Sequence, residues 1–262
     1  LAIGFKKFLG GEVIAIRASQ TDSILEVGYL KGRGDSHEAR SKYIIRFLTE
    51  YDLQDVIKLQ EIVLHDLKDP EIYYPASQEK LKKYLREKTL TLGVLTGEGL
   101  IGFSCIHIPG DEQDNLGRDI GISKEDLKEV AHIKFSFVHP DYRGNSFQLK
   151  LVKYNLDVIN SIGCCHVLCT VSPKNYYSLR NMFQNGFLIK EIKEKYGGLI
   201  RCILFKNICI SAHPTWQDVM IIKSSDIEAQ KKLLNEDFLG FNVSKDPNGI
   251  TIHYGRSQTG DK

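Results

Sequence analysis

Val138-His139-Pro140-Asp141-Tyr142-Arg143-Gly144-Asn145-Ser146-Phe147-Gln148 is the stretch on which the reading of this chain turns. It leaves a β-rich run, Val130 to Val138, and enters a segment from about Phe147 to Ile162 whose apolar residues recur at helical spacing. The order is therefore strand, turn, helix. A glycine-containing turn that feeds a helix start aims several main-chain N–H groups outward, with about +0.5 of dipole charge behind them. That combination suits a phosphate group. A single glycine does not specify a ligand, so the surrounding elements have to supply the context.

Upstream, Tyr43 to Leu48 is short and β-rich, and Thr49 with Asp52 forms a capping-box pattern ahead of a helix that ends near Asp69-Pro70. Ser77 caps a second helix through Leu81, Tyr84 and Leu85. Thr89 to Thr96 and Leu100 to Ile108 are apolar strands joined across Gly97-Glu98-Gly99, which reads as a hairpin. Pro109 to Gly121 is a polar loop, and Ser123 with Asp126 caps a short helix. Downstream, Cys165 to Val171 reads as a buried strand and Asn175 to Asn185 as a helix stopped by Gly186. Phe187 to Tyr196 and Leu199 to Phe205 form a hairpin around Gly197-Gly198. Hairpins at both ends of a mixed order give an α+β fold with a mixed, mostly antiparallel central sheet flanked by helices.

A second motif follows the first at a fixed place in this order: Val171-Ser172-Pro173-Lys174-Asn175-Tyr176-Tyr177-Ser178, then Gly186-Phe187. Together the two resemble the GNAT superfamily of acyl-CoA-dependent N-acetyltransferases. The first is similar to that family's V-x-P-x-Y-R-G-x-G-x-G pyrophosphate loop and the second to its N-x-x-S/A…G-F signature. The resemblance spans residues 43–210 and leaves 1–42 and 211–262 as small αβ extensions at the two ends.

The resemblance implies acetyl-CoA as cosubstrate and transfer of its acetyl group to a primary amine by direct attack. It implies that the strand ending at Val138 splays from its neighbour at a bulge, so that the pantetheine arm pairs with the backbone of Phe137 and Val138. Backbone amides of Arg143, Gly144, Asn145, Ser146, Phe147 and Gln148 would hold the pyrophosphate, with the Arg143 side chain nearby. Asn175 and Ser178, at i and i+3 on one helix face, would line the same cleft. A backbone N–H near Val138 would polarise the thioester carbonyl. Acceptor pockets in the superfamily are shaped by the first two helices and by variable loops, here Pro109 to Gly121.

The chain departs from the family pattern in three places. Ser146 and Gln148 stand where glycines are common, and Met182 stands where a Tyr often serves as general acid; Tyr176 or Tyr177 could substitute or could be packing residues. The strand before the loop offers His132 and Lys134 in place of a Glu. An alkylamine of pKa roughly 10.4 must lose a proton before it attacks. His132 is the candidate base, directly or through water, with an ordinary strand histidine as the alternative and Glu129 as a second candidate. These departures keep open a rival reading, an acyl-CoA-binding or regulatory module with weakened catalysis.

Composition bounds the rest. The 262 residues carry 35 Lys and Arg against 33 Asp and Glu, a net charge of +2, with 42% hydrophobic residues and a mean hydropathy of −0.23. A globular chain with no electrostatic footprint for nucleic acid is expected. No apolar run is long enough for a membrane-spanning helix. The six cysteines form no CxxC pair and mostly sit in apolar strands, so they read as reduced packing residues in a cytoplasmic protein. Cys164-Cys165-His166 with Cys169 reads likewise as core, so no metal site is expected. Gly32-Arg33-Gly34-Asp35-Ser36 reads as a polar turn, and self-association would run through the terminal extensions. One faint internal echo links Glu12 to Ser19, followed by Gly28-Tyr29-Leu30, with Asp218 to Ser225, followed by Asp237 to Gly240; each would be a small strand, helix and strand unit, with chance similarity as the alternative.

Overall fold

A computed structural model describes residues 24–31, 41–86, 89–210 and 214–258. The segment 12–19 and the turn at 32–36 lie outside them. The chain divides into two compact units, the first from Leu1–Pro70, Pro75–Ile108 and Ile133–Gly163, the second from Glu71–Tyr74, Pro109–His132 and Cys164–Lys262.

The first unit holds β1 (Ile24–Tyr29), β2 (Lys42–Phe47), α1 (Leu53–Asp66), α2 (Gln78–Arg86), β3 (Thr89–Thr96) and β4 (Gly99–His107). It ends with the later part of β5 (Val130–Val138) and with α3 (Phe147–Ser161). The strands lie in the order β1-β2-β3-β4-β5. The pairs β1–β2, β2–β3 and β3–β4 are antiparallel. Local signals set the element starts: the Thr49 side chain accepts from Tyr51 N while Asp52 reaches back to Thr49 N, and Ser77 Oγ accepts from Lys80 N at the head of α2. α3 buries Phe147, Leu151, Val152, Val158 and Ile159 along one face, each worth about 1.5–3 kcal/mol of transfer free energy. The same face sets Asn155 Nδ2 on Ser104 Oγ at 2.7 Å, which satisfies a buried amide.

β1 is tied to α3 by one carboxylate. Glu26 accepts from Tyr43, from Lys150 and from Tyr154, the last at 2.8 Å. Burial pushes the Glu26 carboxyl up, and these hydrogen bonds outweigh burial and leave it below the ordinary carboxylate range.

The second unit begins with Val130–His132 of β5 and holds β6 (His166–Val171), α4 (Tyr176–Gln184), β7 (Leu188–Lys195), β8 (Leu199–Asn207), β9 (Trp216–Lys223), α5 (Ile227–Asn235), β10 (Leu239–Asp246) and β11 (Gly249–Ser257). Its order is β5-β6-β8-β7-β10-β11-β9. Only the β5–β6 contact is parallel; every other pair in this unit is antiparallel. The mostly antiparallel α+β architecture expected from the hairpins is the one observed.

The C-terminal segment is a fuller unit than a strand, helix and strand. β9-α5-β10-β11 repeats β6-α4-β7-β8 at one nearly constant offset. Asn175 and Asp226 are the N-caps, accepting from Ser178 N and Ala229 N, and the amides of Phe187 and Phe238 close the helices onto Met182 O and Leu233 O. Gly186 and Asp237 take the matching left-handed φ, +78° and +64°. Ile189 and Gly240, equivalent residues of the two repeats, face each other where β7 meets β10. A local two-fold relation between the repeats follows from that pairing.

The reading of all six cysteines as thiols needs correction. Cys165 and Cys209 form a disulfide at Cα–Cα 5.3 Å, whereas Cys105, Cys164, Cys169 and Cys202 are buried thiols outside it. Cys165 sits just before β6 and Cys209 just after β8, adjacent ends of one antiparallel pair, and that proximity cannot be read from spacing. No helix among the described residues is long and apolar enough to cross a membrane.

Candidate functional site

β5 changes character along its length. It pairs with β6 at Val130↔His166, Ala131↔Val167 and His132↔Leu168. Beyond that point Phe135 adopts φ +50°, a left-handed conformation rare for a bulky residue, and kinks the strand. Ser136 follows with its Oγ buried and without a hydrogen-bond partner among the described residues. Phe137 and Val138 complete the strand, and His139 N donates to Ile101 O at 2.8 Å.

The turn after β5 is built from alternating backbone hands. Gly144 has φ +88° and Ser146 φ +62°, and an ideal Cβ at Gly144 would meet no protein atom within 4 Å. Ser146 is the N-cap of α3, yet its side chain makes no capping bond. Among the described residues the amides of Gly144, Asn145, Ser146 and Phe147 make no hydrogen bond to the protein. Successive amides in such a turn converge into an anion-binding concavity, here at the positive end of a helix. Ser146 thus holds the backbone of a glycine while carrying a Cβ, at a cost of about 1 kcal/mol. Ser146→Gly is expected to raise the unfolding temperature by roughly 2–4 °C, read by calorimetry, with the four amides unmoved.

Neighbours fix the turn from outside. Lys31 N donates to Asn145 Oδ1 at 2.7 Å and Lys31 Nζ to Gly144 O at 3.1 Å, while Asn145 Nδ2 donates to Tyr142 O at 3.0 Å. Arg143 is placed differently from the sequence expectation. Its amide donates to Pro140 O at 3.2 Å, and its guanidinium pairs with Asp66 at the end of α1, at 2.5 Å. Both groups are spent on the protein. Tyr142 donates to Glu98, which raises the Tyr142 pKa. Lys31 was not legible as a loop anchor, because nothing in its sequence context distinguishes it from any exposed lysine.

The remaining sequence-derived residues lie in the second unit. His132 is 0% exposed, and its Nε2 accepts the Leu116 amide at 3.0 Å. That lone pair is the one a base would need, so the geometry fits the ordinary strand histidine, here anchoring the Asn115–Ile120 turn. Asn175 caps α4, its Oδ1 accepting from the main-chain N of Ser178 at 3.1 Å. Met182 is buried, Tyr176 and Tyr177 pack edge to face at 5.3 Å, and Lys245 lies over both rings.

Comparison with known proteins agrees with this layout. Residues 58–187 match the family model described as Acetyltransferase (GNAT) family. Among solved structures, NAA60 of Arabidopsis thaliana in complex with acetyl-CoA is similar with a TM-score of 0.52 at 16% identity, over 64% of this chain and 99% of that one. An N-acetyltransferase from Staphylococcus aureus Mu50 is similar with a TM-score of 0.50 at 15% identity, again over 64% and 99%. At these identities the likeness concerns the fold alone. No curated protein matches the chain in sequence. With the family match running from α1 through β5, the amide-lined turn and α3 to Phe187, the chain carries a GNAT-family acetyltransferase domain over residues 58–187.

Proposed function

We propose that the protein transfers an acetyl group from acetyl-CoA to a primary amine by direct attack. The observation that carries this reading is the set of amides at Gly144, Asn145, Ser146 and Phe147, which the fold orders and which find no acceptor among the described residues. The space at Gly144 fits a bound diphosphate, because a Cβ there would meet nothing of the protein itself. Bound acetyl-CoA supplies an activated thioester carbonyl. The chain supplies the grip: the four amides, with Gln148 at the start of α3, hold the diphosphate, and the backbone of Phe137 and Val138 beyond the Phe135 kink pairs with the pantetheine amides. A main-chain N–H near Val138 polarises the carbonyl as charge develops on its oxygen. Arg143 stiffens the turn through Asp66, and Asn175 with Ser178 orders the start of α4.

Proton removal is the open half of the chemistry. β5 carries no carboxylate, and the His132 lone pair is engaged. The amine then reaches its neutral form through solvent, so kcat/KM should rise about tenfold per pH unit from pH 6 to 9, following an ammonium pKa of roughly 10.4. A plateau above about pH 6.5 would return the role of base to His132. His132→Asn is expected to lower thermal stability and leave that slope in place.

A second reading, an acyl-CoA-binding module without turnover, draws on the buried Met182 and the engaged His132. Titration calorimetry with acetyl-CoA, followed by thiol release across a panel of primary amines, separates the two. Binding with acceptor-dependent thiol release supports the transferase; binding without release on any amine supports the module.

A further inference from the structure

One residue from outside the family domain at 58–187 reaches the amide-lined turn. Lys31 follows β1, and both it and the turn belong to the first unit. Its main-chain N donates to Asn145 Oδ1 at 2.7 Å and its Nζ to Gly144 O at 3.1 Å, while Asn145 Nδ2 donates to Tyr142 O at 3.0 Å. The peptide unit between Gly144 and Asn145 is therefore held by Lys31 on both sides. β1 is itself fastened to α3, because Glu26 accepts from Lys150 and, at 2.8 Å, from Tyr154.

That peptide unit needs holding more than its neighbours do. Gly144 is at φ +88°, and an ideal Cβ there would meet no protein atom within 4 Å, so neither a side chain nor the surrounding protein resists rotation of the peptide plane at this end. A trans peptide is planar, and its C=O and N–H point in opposite directions. Fixing the Gly144 carbonyl on Lys31 thus also fixes the direction of the Asn145 amide, one of the four that find no acceptor among the described residues. A plane turned over by half a revolution would present a carbonyl oxygen in place of that amide, and an oxygen repels a phosphate. The ammonium on the carbonyl also polarises the peptide and strengthens its N–H as a donor. An exposed hydrogen bond of this kind adds little to folding stability, so its effect falls on ligand binding.

We propose that Lys31 is a positioning residue of the cofactor site: its ammonium sets the Gly144–Asn145 peptide so that the Asn145 amide receives the diphosphate of acetyl-CoA. This rests on the acetyl-CoA reading above. The strand that precedes the family domain is then part of the cofactor grip. Arg143, the side chain expected beside the pyrophosphate, is held by Asp66, and Lys31 brings a cation to the turn instead, acting through the peptide and not on the phosphate.

The test titrates the full chain calorimetrically with acetyl-CoA as wild type, Lys31→Met and Lys31→Arg. Lys31→Met should bind at least about tenfold more weakly than wild type while its unfolding temperature stays within about 2 °C. Lys31→Arg keeps a cationic donor and should recover most of the loss. In amide spectra of isotope-labelled protein, saturating CoA should move the Asn145 signal less in Lys31→Met than in wild type, with Ser146 and Phe147 still responding. A loss of affinity that Lys31→Arg does not recover, or one matched by a fall in unfolding temperature well beyond 2 °C, overturns the positioning role in favour of a structural one. If wild type binds acetyl-CoA and Lys31→Met binds it equally, this inference falls and the transferase reading stands. If wild type does not bind acetyl-CoA, both fall.

Discussion

Gly144→Val should weaken acetyl-CoA binding by at least about a hundredfold while leaving a folded protein. Gly144 sits at φ +88°, where a β-branched residue is a conformational outlier, so the substitution tilts the amides that the turn aligns. The Cβ would meet no protein atom within 4 Å, so no clash with the core accompanies that tilt. The new methyl groups instead occupy the space in front of the amides. Gly249→Val makes a suitable control, because Gly249 has φ +124° and equally open surroundings but is the first residue of β11 in the other unit. It should cost stability and leave acetyl-CoA affinity as it was. Equal affinity for the wild type and Gly144→Val would remove the turn from the binding site.

Reduction of the Cys165–Cys209 disulfide should lower stability by up to about 4 kcal/mol, the loop-closure entropy released when a cross-link spanning roughly 44 residues is opened. In a unit of this size that is a fall of roughly 10 °C in unfolding temperature, measured with and without a reductant. The bond joins strand ends already paired through His166↔Asn207, with Ile208 N donating to Cys165 O at 2.9 Å, so the native geometry survives reduction and the effect falls mainly on the unfolded chain. Cys164, next in sequence, is a poor exchange partner because burial pushes its thiol up to about 12. Cys165→Ser and Cys209→Ser should each reproduce the reduced value, and no change on reduction would contradict the pairing.

The elements that fix the family were legible because each is signalled locally. Gly97-Glu98-Gly99 and Gly197-Gly198 mark their hairpins, Thr49, Ser77 and Ser123 mark helix starts, and the long apolar period after Phe147 matches α3 to its first residue. The strand, turn and helix order before α3 was legible, whereas the diversion of Arg143 to Asp66 was not, since it depends on where α1 ends. β11 was missed, and β1 was met only at its end, Gly28-Tyr29, for a different reason. β1 is half exposed along its length and shows no clean alternation, so its pairing with β2 decides its state. The repeat of β6–β8 in β9–β11 escaped notice because the copies share caps, turn hands and one buried Phe rather than a run of identical residues; the faint echo between 12–19 and 218–225 drew on apolar character alone.

Side-chain roles set by distant partners were the least accessible. His132 looks like a base in sequence and becomes an acceptor only because the Leu116 amide folds onto it. Arg201 looks like an ordinary strand arginine, and only the fold reveals it as a buried cation. Cys165 and Cys209 lie in contexts that suit thiols, and connectivity is not contained in spacing.

The proposed grip of four backbone amides on a diphosphate is read most directly by amide NMR of the isotope-labelled chain during titration with CoA. The account predicts that the proton resonances of Gly144, Asn145, Ser146 and Phe147 move strongly downfield together, with one affinity, as they acquire charged acceptors. Saturating CoA that leaves those four signals in place would contradict it.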